Sequence, residues 1–425
     1  MQQKTVLDNG IRVLTERAPH YDSVCIGIWV NTGSRDEKES ENGLSHFIEH
    51  LLFKGTEARS AQEIAQTIDS VGGSMNGFTG RETMCFLAKV LDRHLELAID
   101  LLSDIFLHSK FDTEEIERER SVVLQEIRMV EDTPDDYIHD LFNRTFWGSH
   151  PMGQPIIGGV EQIKSFSRKQ IVRYFKENYR SDRIIIAVVG NVEHGKVVEL
   201  VGRAFSAVPS GSKRMKREMP LGSARTSVLE RKTEQVHFCL GVKGLAYVHS
   251  KRFTSYILNN VLGGGMSSRL FQEIRERRGL AYSIFSYLPS YVDTGLVVVY
   301  AGTDKTTASQ TIGLILKEFE TLRQNPIGQE ELSTAKDQLK GNFLISLESS
   351  DNRMTRLAKN EIYFNRFFSV EEVIDQIDSV TIDQVNELAN ELFIPDHLCL
   401  TLLGPISQRR LNRDLTQVWP GELPS

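Results

Sequence analysis

His46, Glu49 and His50 are the residues of this chain whose types and spacing point most directly to chemistry. Two imidazoles four positions apart stand one turn apart on a helix, so both can reach a single ion. The carboxylate between them leans over the same spot. Two nitrogen ligands with a base beside them are the working parts of a zinc hydrolase. The order is His-x-x-Glu-His, the inverse of the commoner zinc-protease spacing. An amphipathic helix carrying two histidines and a glutamate on its solvated face would show the same letters. A third ligand from another element has to decide.

The helix that carries these residues can be read from its apolar positions. With Leu44 at zero on a helical wheel, Phe47, Ile48, Leu51 and Leu52 fall within about 80° of it. His46, Glu49 and His50 gather on the other side, within about 100° of arc. The apolar stripe predicts burial against a sheet.

A second helix, predicted over about 113–130, offers the missing ligand. With Glu119 at zero, Glu126 lies about 20° away and two turns further on. Ile116, Val123, Ile127 and Val130 share that sector. Two carboxylates within an apolar stripe are costly to bury without a counter-charge. A divalent cation would answer for Glu126, and a zinc-bound histidine or a proton for Glu119. Pairing of both with arginines in a structural network is the alternative.

The elements around these helices follow from pattern. Asp8-Asn9-Gly10 between Thr5–Leu7 and Ile11–Glu16 predicts a hairpin. Strands are predicted at Val24–Asn31, Ser74–Thr79, Met84–Val90 and Arg183–Val189, with helices over Ser60–Val71, Leu91–Leu107 and His194–Phe205. Residues 209–222, PSGSKRMKREMPLG, lack an apolar period and read as a flexible linker, although their basic run is also compatible with an interaction patch. Beyond it the pattern restarts, with strands Val236–Val242, Tyr282–Leu288 and Leu296–Ala301 and helices Phe253–Leu262 and Ser267–Arg275. Ile163–Asn191 can be laid on Ile377–Pro405 without a gap, matching Ile163/Ile377, Ser165/Ser379, Gln170/Gln384, Asp182/Asp396 and Gly190/Gly404. The expectation is an α+β protein of two tandem homologous domains, each a mostly antiparallel sheet packed against helices. On this expectation residues 1–208 would be the catalytic, zinc-binding domain, if the metal reading holds. Residues 223–425 would be a similar domain without the metal motif, expected to act as a substrate clamp.

Bulk properties agree with that reading. A chain of 425 residues suits two domains of about 200 residues each. Its 40% apolar and 25% charged content is that of a globular protein, and a net charge of -7 argues against nucleic acid as a partner. No apolar run approaches the roughly 18 residues of a membrane span. Cys25, Cys85, Cys239 and Cys399 show no Cys-x-x-Cys spacing and read as free thiols. The first residues, MQQKTVL, carry neither signal-peptide nor transit-peptide character, so a cytoplasmic location is expected.

The stretch His46–Thr56, HFIEHLLFKGT, resembles the signature of the insulinase/pitrilysin family of inverted-zincin metallopeptidases. In that family a glutamate about 76 residues after the second histidine completes the metal site, which corresponds to Glu126, and one seven residues earlier corresponds to Glu119. GSMNGFTGRE, Gly73 to Glu82, is similar to the family's substrate-binding edge strand, except that Gly77 stands where many relatives have alanine. Gly264–Phe271 together with Arg275 and Gly279–Tyr282 resembles its second-domain motif. The length is that of the short, two-domain members similar to the processing-peptidase β-subunit of mitochondria and its bacterial homologues.

The resemblance implies a zinc endopeptidase holding one zinc per chain on His46, His50 and Glu126. It implies Glu49 as base and Glu119 as the orienter of a ligand histidine. Gly73, Ser74, Met75, Asn76, Gly77 and Phe78 would bind a peptide or unfolded segment as an added strand. By the same analogy Arg275 and Tyr282 grip the substrate, a salt-bridged arginine and a core tyrosine being the alternative. Expected partners are a second copy or a homologous subunit enclosing a chamber. A subunit active only beside an inactive partner, and a non-catalytic scaffold, are the other readings.

Overall fold

The computed structural model describes residues 1–211 and 217–418. Strand β1 (Gln2–Val6) turns back as β2 (Arg12–Arg17), with Gly10 in the left-handed region at φ +95° and Asn9 Oδ1 accepting the Ile11 N–H at 3.2 Å. Such a turn needs a residue that tolerates positive φ, which the Asn-Gly pair supplies. Strands β3 (Ser23–Val30), β4 (Ser74–Thr79), β5 (Met84–Leu91) and β6 (Ile184–Gly190) complete the first sheet. Its order is β1-β2-β6-β3-β5-β4, with only β2 and β6 parallel. The run VCIGIWV in β3 is buried throughout, as a strand covered on both faces must be. By contrast β4, at the sheet edge, alternates exposed and half-buried residues.

The helices of the first half are α1 (Leu44–Leu52), α2 (Ala61–Ser70), α3 (Leu95–His108), α4 (Thr113–Asp132), α5 (Pro134–Trp147), α6 (Val160–Ser165), α7 (Arg168–Asn178) and α8 (His194–Ala204). The expected helix from Leu91 begins four residues later, because β5 runs to Leu91 and a short turn at Asp92–His94 intervenes. Leu44, Phe47, Ile48, Leu51 and Leu52 of α1 are all buried to within 1% of completely, each a contribution of about 1.5–3 kcal/mol. Phe86 and Ala88 of β5 join them in one core with α3 and α7.

In the second half, β7 (Thr226–Glu230), β8 (Val236–Gly244), β9 (Ala281–Tyr287), β10 (Gly295–Thr303) and β11 (Cys399–Gly404) form a sheet of order β7-β11-β8-β10-β9. Again a single pair, β7 and β11, is parallel. Its helices are α9 (Arg252–Gly263), α10 (Ala308–Gln324), α11 (Gln329–Ser346), α12 (Ser350–Phe364), α13 (Val370–Asp378), α14 (Ile382–Leu392) and α15 (Gln408–Val418). Where a helix over Ser267–Arg275 is expected, a π-helical turn forms at Phe271–Glu276, with Arg277 N–H donating to the Gln272 carbonyl at 3.0 Å. That wider ring replaces the α-helical bond.

The duplication is visible element by element. The gap-free alignment lays α7 on α14 and places the end of β6 on that of β11. Ser167 and Thr381 cap the two helices by accepting the N–H groups of Gln170 and Gln384. Gly190 and Gly404 share φ near +150°, where an added Cβ would collide with the neighbouring backbone. The same residue offset pairs Cys25 with Cys239 and Gly27 with Gly241 in the central strands, a correspondence the terminal alignment alone did not reveal.

Compact units do not follow the chain in two contiguous blocks. Among the described residues, one comprises those of 1–128, 154–218 and 344–367, and the other those of 129–153, 219–343 and 368–418. The division differs in two segments from a cut near residue 208. In the first unit α12 covers the face of the sheet opposite α1, packing Met354, Leu357 and Ala358 on Cys25, Trp29, Cys85 and Ile185. A Cβ on Gly27 would lie 2.6 Å from Met354 Sδ, so the glycine permits that approach. In the second unit α5 does the same, with Phe142 over Gly241.

Residues 212–216 of the expected linker lie outside the described residues. Its described end is tied to the first unit. Arg217 donates to both Asp36 oxygens at 2.8 Å, and Arg35, itself paired with Glu82 at 2.6 Å, donates to the Glu218 carbonyl at 2.7 Å. Breaking a buried pair such as Arg35–Glu82 costs about 3–5 kcal/mol. The four cysteines are buried and unpaired. Among the described residues no helix is long and apolar enough to cross a membrane.

Candidate metal and catalytic site

Helix α1 is held at its start by a buried carboxylate. Glu37 accepts the N–H groups of Gly43 and Ser45 at 2.8 and 2.6 Å, giving a partner to donors that the first turn of a helix leaves unmatched. Burial pushes its carboxyl up to about 8, against the pull of those donors. Gly43, at φ +95°, starts the helix where a Cβ would lie 2.7 Å from the Gly158 Cα. The side of α1 away from the core then faces α4 and β4.

Three atoms converge there. His46 Nε2 and His50 Nε2 each lie 3.6 Å from Glu126 Oε2, and the three ligand atoms are all within 4.8 Å of one another. Ligands about 2.0–2.1 Å from a tetrahedral ion stand roughly 3.3 Å apart, so the set fits a common ion. Two imidazoles and a carboxylate are also a zinc-type donor set with a position left open. His46 is buried, which holds its pKa down to about 4 with the neighbouring His50 acting in the same direction. Its ring is therefore neutral, with a lone pair available, at neutral pH.

Glu119 lies on the same face of α4, buried to 4% exposure. Its Oε2 is 3.0 Å from His50 Nδ1 and its Oε1 is 2.8 Å from Lys54 Nζ. The bond to Nδ1 makes that nitrogen the protonated one and turns the Nε2 lone pair toward Glu126. Lys54, missed by the sequence reading, supplies the counter-charge in place of the arginine considered there. Lys54 lies two residues past the end of α1, so helical spacing gave no signal for the contact. Glu119→Gln is expected to weaken zinc binding by about 10–100-fold, read by competition with a chromogenic chelator.

Glu49 is half-buried beside the two histidines, and burial raises its pKa, opposed by a hydrogen bond from Thr79 Oγ1 at 2.5 Å. The direction of the shift favours proton uptake. Thr79 ends β4 and lay within the quoted edge-strand motif, but its bond to Glu49 had no sequence signal, since the two residues belong to different elements.

Ser74, Met75, Asn76, Gly77 and Phe78 lie in β4, with Gly73 just before it. The strand pairs with β5 on one side and has no other strand partner among the described residues. Gly77 faces α1, where a Cβ would meet Glu49 Cγ at 3.0 Å, and Phe78 faces the opposite way, its ring 5.4 Å from that of Trp29. Arg275 lies on the π-helical turn and Tyr282 in β9, the edge strand of the second sheet. The Arg275 guanidinium stacks over Phe271 and Tyr282 at 4.7 and 5.3 Å from the ring centres. Tyr282 is 79% exposed and is no core residue.

Residues 12–159 match the family model "Insulinase (Peptidase family M16)", and residues 165–339 match "Peptidase M16 inactive domain". An uncharacterized zinc protease of Bacillus subtilis is 41% identical over 405 residues, covering 95% of this chain and 98% of the relative. One from Streptomyces coelicolor is 38% identical, covering 97% and 91% respectively. Among solved structures, a protease from Helicobacter pylori superposes with a TM-score of 0.87 at 25% identity over 95% of this chain and 100% of that one. A Pseudomonas fluorescens structure described as a peptidase M16 inactive domain gives 0.90 at 21% identity, over 96% and 98%, which bears on the fold alone.

Proposed function

The chain belongs to the insulinase family, peptidase family M16, and from that premise we propose that it is a zinc-dependent endopeptidase acting on peptides or unfolded segments. The observation that carries this reading is the meeting of His46, His50 and Glu126 around one point with Glu49 beside it. Zinc held there would supply the Lewis acid of the hydrolysis and lower the pKa of a water toward about 7.

The remaining work falls to the chain's own groups. Glu49 takes the proton of the attacking water on a carboxylate oxygen and returns it to the leaving amine nitrogen. Glu119 keeps the His50 ring in one orientation and one tautomer, with Lys54 balancing its charge. The free edge of β4 offers backbone donors and acceptors to an extended peptide, while the alternating side chains of Ser74–Phe78 set preference. Main-chain pairing tolerates many sequences, which suits unfolded substrates.

For Arg275 and Tyr282, substrate contact is supported by the sequence resemblance and by the exposure of the tyrosine ring. Tyr282→Phe is expected to lower kcat by about 10-fold or more with zinc content unchanged, the scale of a lost donor to developing charge. Zinc loss in that variant would remove the assignment. Pairing with a second copy or a homologous subunit rests on the resemblance and is read by size exclusion. The test of the whole reading is metal analysis of the full chain with a cleavage screen on mixed unstructured peptides. Activity lost to a chelator and restored by zinc supports it. A zinc-loaded protein that cleaves none of them, alone or with a homologous partner, overturns it.

A further inference from the structure

Every second residue of β4 faces α1, and two of them reach the same side chain. The space above Gly77 Cα is bounded by Glu49 Cγ at 3.0 Å and Phe53 Cε2 at 3.2 Å. Two residues on, the Thr79 hydroxyl donates to Glu49 Oε2 at 2.5 Å. Thr79 is the only hydrogen-bond donor that Glu49 has among the described residues, so Oε1 is left without one.

Thr79 is itself firmly placed. It pairs with Met84 in the hairpin, and beyond it Gly80 N–H donates to the Thr83 carbonyl at 2.8 Å. Ser34 and Arg35 N–H groups donate to the Gly80 and Arg81 carbonyls at 3.2 and 2.8 Å, and the Arg35–Glu82 ion pair locks the same corner. A β-branched side chain on such a backbone has little χ1 freedom. The hydroxyl is therefore a fixed point in a site where the glutamate has several rotatable bonds.

We propose that Thr79 is a positioning residue that holds Glu49 by Oε2 and leaves Oε1 as the oxygen that exchanges the proton. The proposal rests on Glu49 being the base. It carries a consequence for substrate: the strand that would accept the peptide backbone is the strand that holds the base. A peptide added along the edge of β4 is laid down in register with Thr79, whose hydroxyl already holds the base. Binding and alignment of the base then share one element, so that the register of the peptide and the position of the carboxylate are set by the same strand.

The test uses the full chain, zinc-loaded, with an unstructured reporter peptide. Thr79→Val keeps the shape and removes the hydroxyl, whereas Thr79→Ser keeps the hydroxyl and removes the methyl. For T79V, kcat is expected to fall by about 10–100-fold with KM changed by no more than about twofold, the cost of a misplaced group at the reacting centre. Zinc content and Tm should match the wild type, and a crystal structure of T79V should show the Glu49 carboxylate rotated. T79S should restore kcat to within about threefold of wild type, because the donor is back. Equal losses in T79V and T79S, loss of zinc in T79V, or a wild-type kcat in T79V alongside an inactive E49Q would each overturn it. Activity in E49Q would instead remove the base assignment itself, and the role of Thr79 with it.

Discussion

Glu49→Gln is expected to leave zinc bound and to reduce peptide hydrolysis by about 10²–10⁴-fold, the usual contribution of a positioned general base. Glutamine has the same shape, and its amide oxygen can still accept from the Thr79 hydroxyl, so the side chain should stay in place. None of the three converging ligand atoms belongs to residue 49. What the variant loses is the capacity to hold a proton between attack and departure of the amine. Metal content by mass spectrometry and single-turnover hydrolysis separate the two functions. A variant that keeps its zinc and its turnover would exclude Glu49 as the base.

The second large effect is expected at Glu126. In Glu126→Gln the neutral amide is a poor ligand for zinc, and the two imidazoles alone leave the ion half-coordinated. Loss of affinity should exceed the about 10–100-fold expected when an outer partner such as Glu119 is changed. Activity should vanish at stoichiometric zinc and return in part when zinc is added in excess. Glu126 keeps 32% of its side chain exposed, so the fold should survive, with Tm close to that of the metal-free wild type. Full zinc occupancy in E126Q would place the third ligand elsewhere.

Much of this site was legible in the sequence because it lies on two helices whose periodicity can be drawn on a wheel. The apolar stripe of α1 fixed which side His46, Glu49 and His50 would occupy, and the stripe of α4 put Glu119 and Glu126 on one face. The gap-free match of α7-β6 with α14-β11 likewise exposed the repeat, since capping residues and a positive-φ glycine recur at equivalent places. What escaped were contacts between elements. Thr79 on Glu49 links a strand to a helix, and no spacing rule predicts that a strand's last residue meets a given side chain. Lys54 is just past the end of α1, where the wheel stops applying. The π-helical turn carrying Arg275 has the composition of an ordinary helix. The division into units was hidden for the same reason, because α5 and α12 are ordinary amphipathic helices whose partner sheet is not written in their own residues.

That last arrangement bears on how the protein is made. While the chain emerges from the ribosome, the first sheet has no α12 to lie against its second face until residue 364 has been synthesised. Trp29, Cys25 and Ile185 stay open to water for that interval, an apolar surface that a chaperone could occupy. A gene split at the linker would make the vacancy permanent. The leading fragment would lack α12 and the trailing one α5, so co-expression of the two pieces, rather than either alone, is the arrangement in which both sheets can be closed.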